Sequence, residues 1–448
     1  MQIRKTKMQS ITRNWIQLST LLYPETTKDL LTLEDNDPTS NDNFAIKNAS
    51  EKGHELIVYL LLKDKRINPG ADNNTAIVNA AEKGHLPIVQ ALLKDDRVDP
   101  SDNNNCAIRA ACQYGHLEIV KILLQDKRVD PRAEDNFCVG CASQNGHLEI
   151  VKLLLKDSRV DPSSTNNHSI RSASNYGHLE IVKLLLKDSR VDPSGDTSCP
   201  IVLASQNGHL EIVKLLLQDK RVDPITKQNH PIVSASQNGH LEIVKLLLQD
   251  KRVDPSDRNN HSIKIASQRG HVAIVKLLLQ DKRVDPSDDN NRAIRCASKY
   301  NRLEIIKILL KDKRVDPSDD NNLAIRCASE QGHLDTVKLL LTDSRVDPSY
   351  NNNNAVDKAS ENGHKEIVDL LLKDERVIGI DNKKIEKLAG IEVFKVPIKE
   401  PNNKLLQQLL SILDLSNNLY IVKNAAKLDD STLLSMLLEK LPEKSDKK

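Results

Sequence analysis

Thirteen histidines and seven cysteines are the side chains best equipped for metal or nucleophilic chemistry in this chain of 448 residues. Ten of the histidines stand in Gly-His pairs that recur every 31 residues, from Gly53-His54 and Gly84-His85 to Gly363-His364, with Asn301-Arg302 taking one place in the series. The other three, His168, His230 and His261, share one register nine residues before the glycine. Equivalent positions in stacked helical units lie roughly 8–10 Å apart, whereas the ligands of one zinc ion sit about 2 Å from it. The row therefore does not read as a metal site, and no metal or cofactor is expected. Cys138 and Cys141 form a single C-x-x-C with no second pair, at positions that are apolar in other units, which reads as packing. The acidic loops VDPSDDNN at 284–291 and 315–322 lack the glycine and the final glutamate of a calcium loop; turn and cap chemistry accounts for them. No phosphate-binding glycine loop, nucleophile elbow or H-E-x-x-H occurs. Acids and bases recur with the repeat, and no single place visibly breaks it as a catalytic constellation should, so no enzyme is expected.

The elements that position these residues repeat as well. Eleven blocks of 31 residues run from Pro38 to 378 without a slip, the signature of stacked supersecondary units rather than one globular core. In the block 131–161, Leu148, Ile150, Val151, Leu154 and Leu155 recur at helical spacing, while Glu149 and Lys152 fall on the other side. This predicts an amphipathic outer helix. A shorter inner helix, from about Asn136 to Gln144, carries the small pair Ala142-Ser143, which recurs in most blocks. Ten residues before the glycine stands Asn, or Ser198 in one block; both types are expected to cap the inner helix. Glycine at the junction supplies positive φ where the chain reverses, and Asn301 is the next most tolerant substitute. Every outer helix ends on Asp-x-Arg and an apolar residue, followed by Asp/Asn-Pro in ten of the eleven blocks, as in Asp157 to Pro162. The recurring acid and guanidinium are expected to form an Asp–Arg ladder between units; the alternative is a row of solvated charges that only ends the helix.

The stretch x-[A/P]-[I/V]-x-x-A-[A/S]-x-x-G-H-L-E-I-V-K-L-L-L resembles the ankyrin repeat, with Pro200-Ile201 and Pro231-Ile232 keeping that family's proline. The resemblance covers all eleven blocks and implies an all-α, ankyrin-type helical-repeat solenoid of eleven regular helix-turn-helix units between degenerate caps. It also implies that the Gly-His histidine is a structural hydrogen-bonding residue. Two departures stand out: the blocks are two residues shorter than the usual 33, and the glycine that normally follows the outer helix is absent. Both fall in the projecting finger, whose turn is expected to differ. The 31-residue variant is similar to arrays of amoebae, giant viruses and amoeba-associated bacteria, which implies a host cytoplasm if the chain is a viral or bacterial effector.

Residues 1–37, with Trp15, Ile16, Leu18 and Leu21, are expected to form an N-terminal capping unit, 38–378 the eleven repeats, 379–442 decayed C-terminal units, and 443–448 a disordered tail. The rival reading of 379–448 is a recruiting module, although no F-box-like pattern is evident there. With 65 basic and 63 acidic side chains, nothing attracts a phosphate backbone over the whole chain, and nucleic acid is not an expected partner. The cysteines are odd in number and irregular in spacing, as reduced thiols of a cytoplasmic or nuclear protein would be. No apolar run approaches the roughly 18 residues of a membrane span, and the first 22 residues do not read as a signal peptide.

Two registers vary between blocks while the core barely changes. One residue before the glycine stand Tyr114, Tyr176 and Tyr300 among Lys, Asn, Arg and Gln; nine before it stand Phe44, Phe137, His168, His230, His261 and Arg292 among Thr, Cys, Leu and Asn. Variable inner-helix ends mark the concave face, by which ankyrin arrays usually grip partners, and Tyr and Arg are common interface anchors. The alternative is neutral drift on an exposed surface. The function expected is therefore a non-catalytic scaffold or adaptor, monomeric, binding a protein partner on that face. The second reading is a targeting subunit whose C-terminal segment recruits host machinery such as a ubiquitin ligase.

Overall fold

The structure, a computed structural model, describes residues 38–194, 199–225 and 231–377; the expected caps, the tail, Ser198 and His230 lie outside the described residues. Twenty-two α-helices and no strands are found among them. They alternate inner and outer, from α1 (Ser40–Lys52) and α2 (Glu55–Leu62) to α21 (Tyr350–Glu361) and α22 (Lys365–Leu371). The fourth unit supplies α7 (Ala133–Gln144) and α8 (Leu148–Leu154), the fifth α9 (Ser164–Tyr176) and α10 (Leu179–Leu185).

Between α7 and α8 the chain turns on Gly146 at φ +79°, and the His147 N–H reaches back five residues to the Ala142 carbonyl at 2.9 Å, the closing bond of a Schellman turn. Asn301 makes the same turn at φ +54° in place of glycine. The outer helix buries Ile150, Val151 and Leu154 completely, while Leu148 and Leu155 are only half-buried at the edges of that stripe. Each buried Ile or Leu contributes about 1.5–3 kcal/mol by leaving water. Val139, Ala142 and Val160 complete the layer. Inner helices pack against their neighbours much more closely than outer helices do, because Ala and Ser face one another there.

The finger corrects one expectation. Asn136 does precede the right-handed inner helix, but its side chain does not cap that helix. Glu134, Asp135 and Asn136 are all left-handed, at φ +53°, +53° and +63°, and the same three-residue left-handed turn recurs in nine of the units. Such φ values strain most L-residues, and Asn and Asp tolerate them best. The Asn side chain instead reaches the next finger: Asn136 Oδ1 accepts from the Asp161 N–H at 2.8 Å, and Asn291 Oδ1 from Asp316 N–H at 2.8 Å. Asn291 Nδ2 also donates to Asp319 Oδ2 at 2.9 Å. The clamp binds one finger to the next rather than finishing a helix.

The small pair has a cost. Ser236 is fully buried with no hydrogen-bond partner for its hydroxyl, as are Ser205 and Ser267, whereas Ser143 donates to the Val139 carbonyl at 2.7 Å.

Two substitutions test these assignments. Asn291→Ala should lower the free energy of unfolding in urea by about 2–4 kcal/mol, by stranding a buried N–H and straining the turn. Asn291→Gly relieves only the strain and should recover part of that loss; a loss under about 0.5 kcal/mol for the alanine variant would remove the clamp. Ser236→Ala, which copies Ala81 of the second unit, should be stabilising by about 0.5–1 kcal/mol. A loss instead would show that the hydroxyl bonds within its helix as Ser143 does.

Candidate functional site

The Gly-His histidines are spent on structure. His178 Nε2 lies 2.9 Å from the Gln144 carbonyl of the preceding unit, and His85 Nε2 lies 3.0 Å from that of Glu51. The ring of each lies over the glycine of the unit before: a Cβ on Gly146 would meet His178 Cε1 at 2.6 Å. Glycine is thus required there twice, for its φ and for its lack of a side chain. At the exceptional place Arg302 Nε donates to the Gln268 carbonyl at 3.1 Å, preserving the bond with a different residue. Asn301 then meets buried Thr336, whose hydroxyl donates to Asn301 Oδ1 at 2.8 Å. Thr336 stands where every other unit has Ile, so the polar intruder is partnered.

Among the described residues, no group of three or more His, Cys, Asp or Glu could hold a metal ion. Cys112, Cys138 and Cys141 are buried free thiols. Burial pushes Cys112 and Cys141 well up from the ordinary thiol range, which leaves them protonated and unsuited to nucleophilic work.

The Asp–Arg row differs from the expected ladder. The ion pair stays within a unit: Arg159 Nη2 to Asp157 Oδ2 is 2.7 Å. What crosses to the neighbour is the other arm of the guanidinium, Arg159 Nη1 donating to the Val129 carbonyl at 3.1 Å, a bond repeated from Arg97 to Arg376. Sequence spacing shows the pair but not that the fork is shared between a carboxylate and a carbonyl. The hydrogen bond from Arg159, opposed by partial burial, holds the Asp157 carboxyl below its ordinary value.

Four of the six exposed aromatics among the described residues stand in the two variable registers, the others being Tyr59 and Tyr350. Tyr114, Tyr176 and Tyr300 are 51%, 54% and 41% exposed, and Phe137 is 37% exposed. Phe44, His168 and His261 are half-buried, and exposed Arg292 pairs with Asp289 at 3.1 Å. Burial lowers the His168 and His261 imidazoles below their ordinary value. Of these residues Phe137 and His168 line shared recesses, whereas Phe44 and the pair Arg292 and Tyr300 lie several units away on either side. Two features escaped the reading of the sequence. Six residues before the glycine, basic side chains tie neighbouring inner faces together: Lys47 to Asp72 at 3.0 Å, Lys264 to Asp289 at 3.2 Å, and Arg295 to Asp320. In the fourth unit that register holds Gly140, and Arg109 of the third lies 5.5 Å from the Phe137 ring centre. Comparing that one register across the blocks would have exposed both.

Alternating inner and outer helices packed unit on unit define an all-α helical-repeat solenoid. Its sequence agrees: the family model for ankyrin repeats, three copies to a model, matches 22–104, 43–135, 96–166, 129–194, 169–259, 234–321 and 312–384, and the chain belongs to the ankyrin repeat family. A search of curated proteins found no match. No helix among the described residues is long and apolar enough to cross a membrane.

The Asp157 pair makes a pH-dependent contribution whose sign follows from its lowered carboxyl. That stability is fully present above the ordinary Asp value of 3.8 and is lost as pH falls through the lower folded value. Asp157→Asn should therefore cost a constant amount between pH 5 and 8, about 0.5–1 kcal/mol for this partly exposed pair. The difference from the parent should close below about pH 4, as read from urea unfolding at each pH; a gap that persists at pH 2 would contradict it.

Proposed function

We propose that this protein is a non-catalytic scaffold or adaptor that grips a protein partner on the concave face of its ankyrin array, acting as a monomer in the cytoplasm. Ankyrin arrays are protein-interaction modules, which supports the general role. The observation that carries the finer reading is where the aromatic residues sit. None of the seven Phe and Tyr residues among those described belongs to the buried core, and six are exposed. The apolar core is built from Ile, Val, Leu and Ala with a few Cys, so nothing in the packing requires an aromatic ring. Tyr and Phe present large contact area at small entropic cost, and they are enriched where proteins meet. The three tyrosines one residue before the junction all stand on the inner-helix side, where neighbouring units come closest.

The test replaces Tyr114, Tyr176 and Tyr300 with alanine together and measures recovery of bound partners by affinity purification and mass spectrometry. Recovery of the main partner should fall at least about tenfold, as expected if two or more of these anchors contribute 1 kcal/mol or more each. The far-UV circular dichroism and melting point should stay unchanged. Undiminished recovery with the fold intact would remove the concave face as the binding surface.

A further inference from the structure

Resting on that reading, we infer that the cleft between the fourth and fifth units seats an arginine side chain from an extended partner segment. The guanidinium would be held by carboxylates of the two fingers, and its stem would lie along Phe137. The starting point is Gly140, in the middle of α7. Its backbone is not in the left-handed region, so no turn demands glycine there, and glycine inside a helix costs about 1 kcal/mol relative to alanine. All other units carry a side chain at this register, from Lys47 through Val233 to Asp357. What glycine provides is space: a Cβ at 140 would meet His168 Cδ2 at 2.9 Å. Without it, the His168 ring leans in beside Phe137 and a recess remains on either side.

The two recesses differ in chemistry. The first, about 260 Å³, is lined by Glu134, Asp135 and Asp161 together with Phe137, Gly140 and His168, and no Lys or Arg lines it. The second, about 250 Å³, is bordered by Gln113, Gln144 and Asn145 beside Phe137, Cys141 and His168. Three carboxylates against an aromatic wall suit a cation on an apolar stem. Guanidinium fits better than ammonium, because it can fork onto carboxylates and stack on a ring. The Phe137 ring already accepts one guanidinium, that of Arg109 at 5.5 Å. His168 adds no competing charge, since burial favours its neutral form. The amides of the second recess both donate and accept, as the backbone of an extended peptide requires. The same carboxylates would repel a nucleic-acid backbone.

The full chain, carrying ¹³C-labelled histidine, is titrated with acetyl-Gly-Gly-Arg-Gly-Gly-amide while the His168 ring signal is followed by NMR. A peptide with citrulline in place of arginine serves as the uncharged control. The arginine peptide should give a saturable shift, and the citrulline peptide should bind at least about tenfold more weakly, the loss expected when one charge-assisted contact becomes neutral. Gly140→Val fills the cleft with the residue found at the same register as Val78, Val202 and Val233; it should abolish the shift. Should that variant fail to fold, Glu134→Gln with Asp135→Asn lies on the exposed turn, leaves the cleft open, and should weaken binding as the citrulline control does. Equal response to the two peptides, no response to the arginine peptide, or undiminished binding in the folded variants would overturn the inference. The tyrosine substitutions leave this cleft intact, so an unchanged peptide titration alongside unchanged partner recovery would discard the concave-face scaffold while leaving the cleft in place.

Discussion

Each unit of this array can bury its apolar stripe only against the next one, and the recurring bonds that join units each cross a single junction. The Asn side chain reaches 25 residues ahead, the Arg fork 30 back, and the junction histidine 34 back. None of these partners is more than about one repeat away. Stability is accordingly close to a sum of nearest-neighbour interfaces, and no residue is asked to organise a distant part of the chain. That frees the inner-helix surface to vary from unit to unit, since a change at Tyr114 or His261 leaves the fixed bonds of its own junction intact.

The exceptions show what is being preserved. At Asn301-Arg302 neither residue of the usual pair survives, yet the left-handed turn and the bond to the preceding carbonyl both do. The side chain that Asn301 adds is absorbed by Thr336, one unit on, where an aliphatic residue would have left Asn301 Oδ1 without that donor. The constraint therefore acts on geometry and on hydrogen-bond closure, with residue identity following from them. The left-handed finger turn obeys the same logic. Three consecutive residues at positive φ are tolerable because the last two are Asn or Asp in every described case and because the final Asn is fastened to the next finger.

Much of this was legible in the sequence because it recurs in one dimension. The period, the helix pair, the glycine turn and the aliphatic stripe around Ile150 and Leu154 all follow from residue type and spacing inside one block. The direction in which Asn136 points does not, because its acceptor oxygen looks equally suited to its own helix until the next finger is laid beside it. The Arg159 fork was half legible for the same reason: its acid is two residues away in sequence, but its carbonyl belongs to another block. Gly140 was missed for a different reason. In a pattern search a glycine in a variable register counts as one more substitution unless that register is compared across the blocks, and the neighbouring His168 gives the missing side chain its meaning.

Low aromatic content takes on a specific sense in such a scaffold. A compact core uses Phe and Trp to fill wide interior volumes, whereas a layer one helix pair thick has no such volume, and Ile, Val, Leu and Ala fill it at high density. An aromatic ring placed within this repeat would force neighbouring inner helices apart and break their close packing. Rings are therefore tolerated only on the outside, and there they lack the packing reason that explains them in most proteins. Exposed rings on the inner-helix side, one of them beside a glycine that costs helix stability, are thus the residues on which the proposed recognition role rests.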